Sequence, residues 1–138
     1  MHGSHCIKNW SSTQAIIALS SGEAEYYGVV KASSVGLGCR AMARDFSQHR
    51  SLHIHTDAEA AKGIAARTGL GKTRHIDVHY LWVQEKVRSG DLILHKVKGV
   101  SNPADLLTKH LTAPIMVKLM NLFGFSHADG RSALTPDT

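Results

Sequence analysis

Acid is missing from the front of this chain. Residues 1–22 hold no aspartate or glutamate, so any chemistry that needs carboxylates must draw them from Glu23 onward. Cysteine is scarce as well. Cys6 and Cys39 are the whole complement, and neither sits in a CxxC or CxxH pattern. That excludes a disulfide scaffold and fits reduced thiols in an intracellular protein. No apolar run approaches the roughly 18 residues of a membrane span, and the N-terminus has no apolar segment of signal-peptide type. No membrane partner is expected. Repeats and low-complexity tracts are absent.

What remains is an ordinary globular composition. A chain of 138 residues suits one domain with a real core. The formal net charge of +5 favours a polyanionic partner over a cationic one. Ten histidines add positive charge below roughly pH 6.5.

Periodicity and punctuation place the elements. Ser12–Leu19 reads STQAIIAL, rich in strand formers. With a weaker strand over Ser4–Trp10 and a turn at Ser11-Ser12, it predicts a hairpin. Ser20 followed by Glu23 is a capping box opening a helix from about Ser21 to Phe46. Gly36 and Gly38 weaken its middle by about 1 kcal/mol each relative to alanine and mark a place for a kink. Leu52–Thr56 alternates cleanly as a strand, and an alanine-rich helix spans Ala58–Arg67. A helix from about Arg74 to Arg88 would align Ile76, Tyr80, Val83 and Val87, with Ser89-Gly90 ending it. Leu92–Lys98 is a second clear strand. Asn102-Pro103 starts another helix, and a short helix at about Pro114–Phe123 precedes a polar tail, 124–138, expected to be disordered. Hairpin first, then alternating strands and helices, means a mixed sheet flanked by helices in an α/β domain.

Three acids occupy special places. Glu25 lies in the first turns of the first helix, Asp57 just past a strand end, and Asp105 in the first turn after the last strand. Sites in open α/β sheets form outside strand ends. Carboxylates converging there repel one another, and a divalent hard cation such as Mg2+ relieves that repulsion through oxygen ligands. Each acid also has an ordinary reading. Glu25 could be a solvated helix face, Asp57 a helix cap, and Asp105 an acid placed by the helix dipole. Glu23 is about 200° around the helix from Glu25 and already serves the capping box. Lys72, Arg74, Lys96, Lys98 and Lys109 either contact phosphates or form a solvated basic face. Tyr80 suits core packing, whereas Trp82 suits the core or a stacked base. His2, His5 and Cys6, His53-x-His55 and His75-x3-His79 have zinc-like spacing without forming an evident set of four.

The runs SSGEAEYYGVV, HTDA, KTRHIDVHYLWVQEKVRSGDL and NPADLLTKHL occur in this order. Together they resemble the ribonuclease H domain at the end of the Pol polyprotein of copia-type retrotransposons, over roughly His2 to Leu122. The resemblance implies a ribonuclease H-like fold over residues 1–123 and a metal site of Glu25, Asp57 and Asp105 holding Mg2+, or Mn2+ in its place. It also implies hydrolysis of the RNA strand of an RNA–DNA hybrid, with the rest of Pol, reverse transcriptase included, as partner. Lys72, Arg74, Lys98 and Lys109 become the candidate nucleic-acid contacts.

The same resemblance implies a fourth carboxylate, an aspartate on a first, central strand, which residues 1–22 do not offer. The expectation is therefore an N-terminally truncated domain whose sheet lacks its middle and whose isolated chain is weakly active or inactive. The alternative is a non-catalytic nucleic-acid-binding remnant. The loop before Asp105 reads KGVSNPAD, with Val100 where many cellular ribonucleases H carry a histidine.

Overall fold

The structure is a computed structural model that describes residues 3, 5–71 and 76–125. The chain divides into two compact units, Thr13–Gly99 and Met1–Ser12 together with Val100–Thr138. No helix among the described residues is long and apolar enough to cross a membrane.

The larger unit holds α1 (Ser21–Asp45), β1 (Leu52–Thr56), α2 (Glu59–Ala66), a 3-10 turn (Val78–Tyr80), α3 (Trp82–Arg88) and β2 (Leu92–Lys96). β1 and β2 form a two-stranded parallel sheet in which Leu52 pairs with Leu92, His55 with His95 and Thr56 with Lys96. The chain is thus mixed α/β, but among the described residues its sheet is parallel and not the expected mixed one, because the hairpin that would add antiparallel pairing is not formed. Alternation along β1 turns Leu52, Ile54 and Thr56 inward, and Thr56 is buried. The core gathers Tyr26, Tyr27, Val29 and Val30 of α1, Ala61, Ile64 and Ala65 of α2, and Ile76 and Val83, with Ile54 and Leu94 packed against it.

The capping box forms as the sequence predicts. The Ser20 hydroxyl accepts from the Glu23 amide at 3.2 Å, and Glu23 reaches back to accept from the Leu19 amide at 2.9 Å. α1 then runs 25 residues without interruption. At Gly36, a Cβ would come within 2.6 Å of the Leu52 Cδ1. The glycine that looked like a weak point is a notch that lets the helix lie close on β1. α1 ends in a Schellman pattern, with Ser47 donating to the Arg44 carbonyl and Gln48 to the Ala43 carbonyl. Ser47 takes the left-handed conformation there, at φ 58°.

Two expectations need correction. Residues 6–19 contain no strand, so the hairpin of Ser4–Trp10 and Ser12–Leu19 is not formed among the described residues. The alternation survives without a ladder. Ile16 and Ala18 pack on the core, while Ile17 and Leu19 face outward. The Leu19 amide, a group a ladder would use, is taken by Glu23. The helix expected over 74–88 is the second correction, since α-helix begins only at Trp82. Lys72 to His75 lie outside the described residues. Downstream, the Tyr80 carbonyl accepts from the Tyr26 hydroxyl, and the Gln84 amide turns to the Leu81 carbonyl instead. A continuous α-helix would have joined Gln84 to Tyr80, so the 3-10 turn stands where a distant side chain has captured the carbonyl. Gly90 then ends α3 at φ 76°, as the sequence predicts.

In the smaller unit, Asn102 caps a 3-10 helix, Pro103–Leu107, by accepting from the Ala104 amide at 3.2 Å. The cap is the expected one, but the helix is 3-10 rather than α. α4 spans Ala113–Leu122 and buries Leu119. Gly124, at φ 73°, closes it. The expected disordered tail lies outside the described residues from position 126 on.

Candidate functional site

Parallel pairing brings the carboxyl ends of β1 and β2 to the same edge of the sheet, which is where α/β proteins place their sites. Asp57 stands there, directly after β1 and half-buried. The ordinary reading made it the cap of α2, but that helix has no side-chain cap. The residue at the N-cap is Ala58, with no side-chain cap bond, and the Thr56 hydroxyl accepts from the Ala58 amide at 3.1 Å. The chain leaving β2 stays close, since the Val97 amide donates to the Thr56 carbonyl at 2.9 Å. A Cβ on Gly99 would lie 3.6 Å from the Asp57 Oδ2.

Glu25 is exposed on the second turn of α1. Three positions earlier on the same helical face, a Cβ on Gly22 would sit 2.7 Å from the Ala60 Cβ. The start of α1 therefore lies against the start of α2, immediately after Asp57. Glu23, two positions from Glu25, is buried instead and accepts from the Tyr27 hydroxyl at 2.7 Å. Burial and that bond push the Tyr27 phenol up to about 12. The capping acid and the exposed acid thus divide as the helical angle predicts.

Asp105 belongs to the smaller unit, in the 3-10 helix after the Asn102 cap. Its carboxylate accepts from the Lys109 ammonium at 2.9 Å. Two sequence-predicted site residues, an acid and a nucleic-acid contact, are therefore partners of each other. Lys98 is exposed just beyond β2, and Lys96 pairs with Glu59 at 3.2 Å. Lys72 and Arg74 lie outside the described residues. Tyr80 and Trp82 both pack against the core. Among the described residues, no group of three or more His, Cys, Asp or Glu side chains is gathered to hold a metal ion.

Other features were not foreseen. A pocket of about 420 Å³ is lined by Ile16, Ile17, Leu19, Glu23, Tyr27, Asp77 and Tyr80. Gln84, buried on α3, donates to the Ile64 and Gly69 carbonyls at 2.9 and 3.0 Å and accepts from the Gly69 amide at 2.8 Å. A glutamine flanking an apolar stripe gives no signal of that role. His95 joins His53 and His55 on the outer face of the sheet. Spacing within β1 showed only the first two.

These described residues define a mixed α/β chain with one carboxylate, Asp57, at the carboxyl end of a parallel strand pair. No protein-family model matches it, and no solved structure matches at a significant level. One sequence relative gives it a context. The chain is 30% identical over 104 residues to a retrovirus-related Pol polyprotein from transposon TNT 1-94 of Nicotiana tabacum. The likeness covers 73% of this chain and 8% of that polyprotein's length, and it supports a Pol-derived fragment of copia type.

Proposed function

We propose that this chain is a ribonuclease H-type part of a retrotransposon Pol polyprotein, acting on the RNA strand of RNA–DNA hybrids. The observation that carries this reading is Asp57. It lies where the parallel strands end, does not cap α2, and makes no hydrogen bond or ion pair among the described residues. Glu25 is equally unengaged, on the helix face beside the start of α2. Carboxylate oxygens of this kind suit Mg2+ or Mn2+. Glu25, Asp57 and Asp105 would hold the ion, which supplies water activation and charge stabilisation at a phosphodiester. Lys98 and Lys109, together with Lys72 and Arg74, would meet the backbone phosphates, and reverse transcriptase within the same polyprotein would deliver the hybrid.

A second reading, hybrid binding without turnover, is favoured by two observations. Asp105 is engaged by Lys109, and no three-acid cluster is gathered among the described residues. A labelled hybrid incubated with the chain in Mg2+ or Mn2+ separates the two. Cleavage that disappears with Asp57→Asn and Glu25→Gln supports the nuclease. Salt-sensitive binding with no cleavage in either metal supports the binding module. A chain that neither binds nor cuts the hybrid removes both.

A further inference from the structure

We propose that the outer face of the two-stranded sheet carries a binding site for an imidazole-preferring divalent ion such as Zn2+, with His53 and His95 as its protein ligands. The site is separate from Asp57 at the strand end and uses different donor chemistry.

The parallel register builds it. His55 pairs directly with His95, and His53 with Ile93. Because successive strand side chains alternate between faces, His53, His55, Ile93 and His95 share one face. Leu52, Ile54, Leu92 and Leu94 take the other, the core side. His53 and His55 are exposed, so the outward face of this ladder is histidine at every position but Ile93. The rings are ordered against one another. His53 and His95 lie edge to edge, with centroids 5.1 Å and planes 16° apart, and His55 and His95 stack at 4.8 Å and 20°.

The His53 Nδ1 and His95 Nε2 lie 2.8 Å apart. Two neutral imidazoles share one hydrogen at that separation. Two nitrogens bound to a single tetrahedral zinc, each at about 2.0–2.1 Å, stand roughly 3.3 Å apart. Binding therefore needs the nitrogens to part by about half an ångström and both rings to turn until their lone pairs converge on the ion, while the shared hydrogen moves through solvent to the other nitrogen of its own ring, so that both imidazoles stay neutral. Solvent completes the coordination, since no third ligand is gathered among the described residues. His55 positions the site by stacking on His95 and holding its ring plane. Imidazole nitrogen suits zinc, nickel and copper, whereas magnesium favours oxygen.

The test is Zn2+ titration of the full chain at neutral pH in a non-chelating buffer, read by calorimetry and by the histidine ring signals in NMR. One ion is expected to bind, shifting the His53 and His95 rings and raising the melting temperature through linkage. His53→Gln and His95→Gln should each weaken uptake by roughly tenfold or more, the scale at which loss of even an outer-shell partner is felt. His110→Gln should leave uptake unchanged. Circular dichroism of the glutamine variants checks that they remain folded. Should Zn2+ fail to bind, or should folded His53→Gln and His95→Gln bind it as tightly as the parent, the site is disproved.

Discussion

The Tyr26 hydroxyl donates to the Tyr80 carbonyl oxygen at 2.9 Å, joining positions 54 residues apart. The bond secures α1 to the turn before α3 and sets where α3 begins. Tyr26 is fully buried, and its burial pushes the phenol up to about 12. Tyr26→Phe keeps the ring and deletes the donor. The expected loss is about 1 kcal/mol, the net worth of one such bond, or somewhat more if the carbonyl stays dry. Urea denaturation should show a lower midpoint with an unchanged slope. An unaltered midpoint would mean the bond contributes nothing.

Ser47 ends α1 in the left-handed region, at φ 58°. A side chain there costs on the order of 1 kcal/mol, which glycine avoids. Ser47→Gly is expected to raise stability by up to about that amount. Thermal melts of the two proteins compare it directly, and a lower melting temperature for the glycine variant contradicts the reading.

Two glycines of one helix should respond oppositely to alanine. At Gly22 the new methyl would meet the Ala60 Cβ at 2.7 Å, whereas at Gly28 it would enter open space. Gly22→Ala is expected to destabilise by about 1–3 kcal/mol through overpacking. Gly28→Ala should stabilise by up to about 1 kcal/mol through helix propensity. Equal effects at both positions would refute the close approach of α1 and α2.

Asp91 accepts from Lys86 at 3.0 Å and lies 3.5 Å from the Arg40 guanidinium. The Lys86 hydrogen bond and charge, with help from Arg40 and Ser89, hold its carboxyl below the ordinary value of 3.8. A carboxyl depressed in the folded state stabilises the fold above its unfolded pKa and ceases to do so as pH falls through its folded pKa. Asp91→Asn is therefore expected to be less stable than the parent at neutral pH. The two should converge in acid, below pH 3.8. A stability difference that persists unchanged in strong acid would assign the effect to something other than charge.

The parts of this fold legible in the sequence are those whose causes are local. Ser20 and Glu23 announce the start of α1 because a capping box is closed within one turn. Leu52–Thr56 reads as a strand because its alternation is complete within five residues. Where the cause is distant, the sequence misleads. The stripe from Ile76 to Val87 looks like one helix until Tyr26 claims a carbonyl within it. Gly36 looks like a breaker until Leu52 is found beside it. The roles assigned to Glu25 and Asp57 came from resemblance, because an unengaged acid and a solvated one look alike in a sequence. The His53–His95 contact was hidden for another reason, since it needs the strand register, and register is a property of two segments 35 or more residues apart.

The parallel ladder between β1 and β2 also governs how the molecule can be born. Leu52 cannot find Leu92 until the whole crossover between them has been synthesised and has left the ribosome. A nascent chain ending before α2 therefore carries α1 with its tyrosines and valines uncovered, and one ending before β2 still leaves β1 without its ladder partner. Closure of so long a segment is slow relative to helix formation. During that interval the chain is a natural client for chaperones.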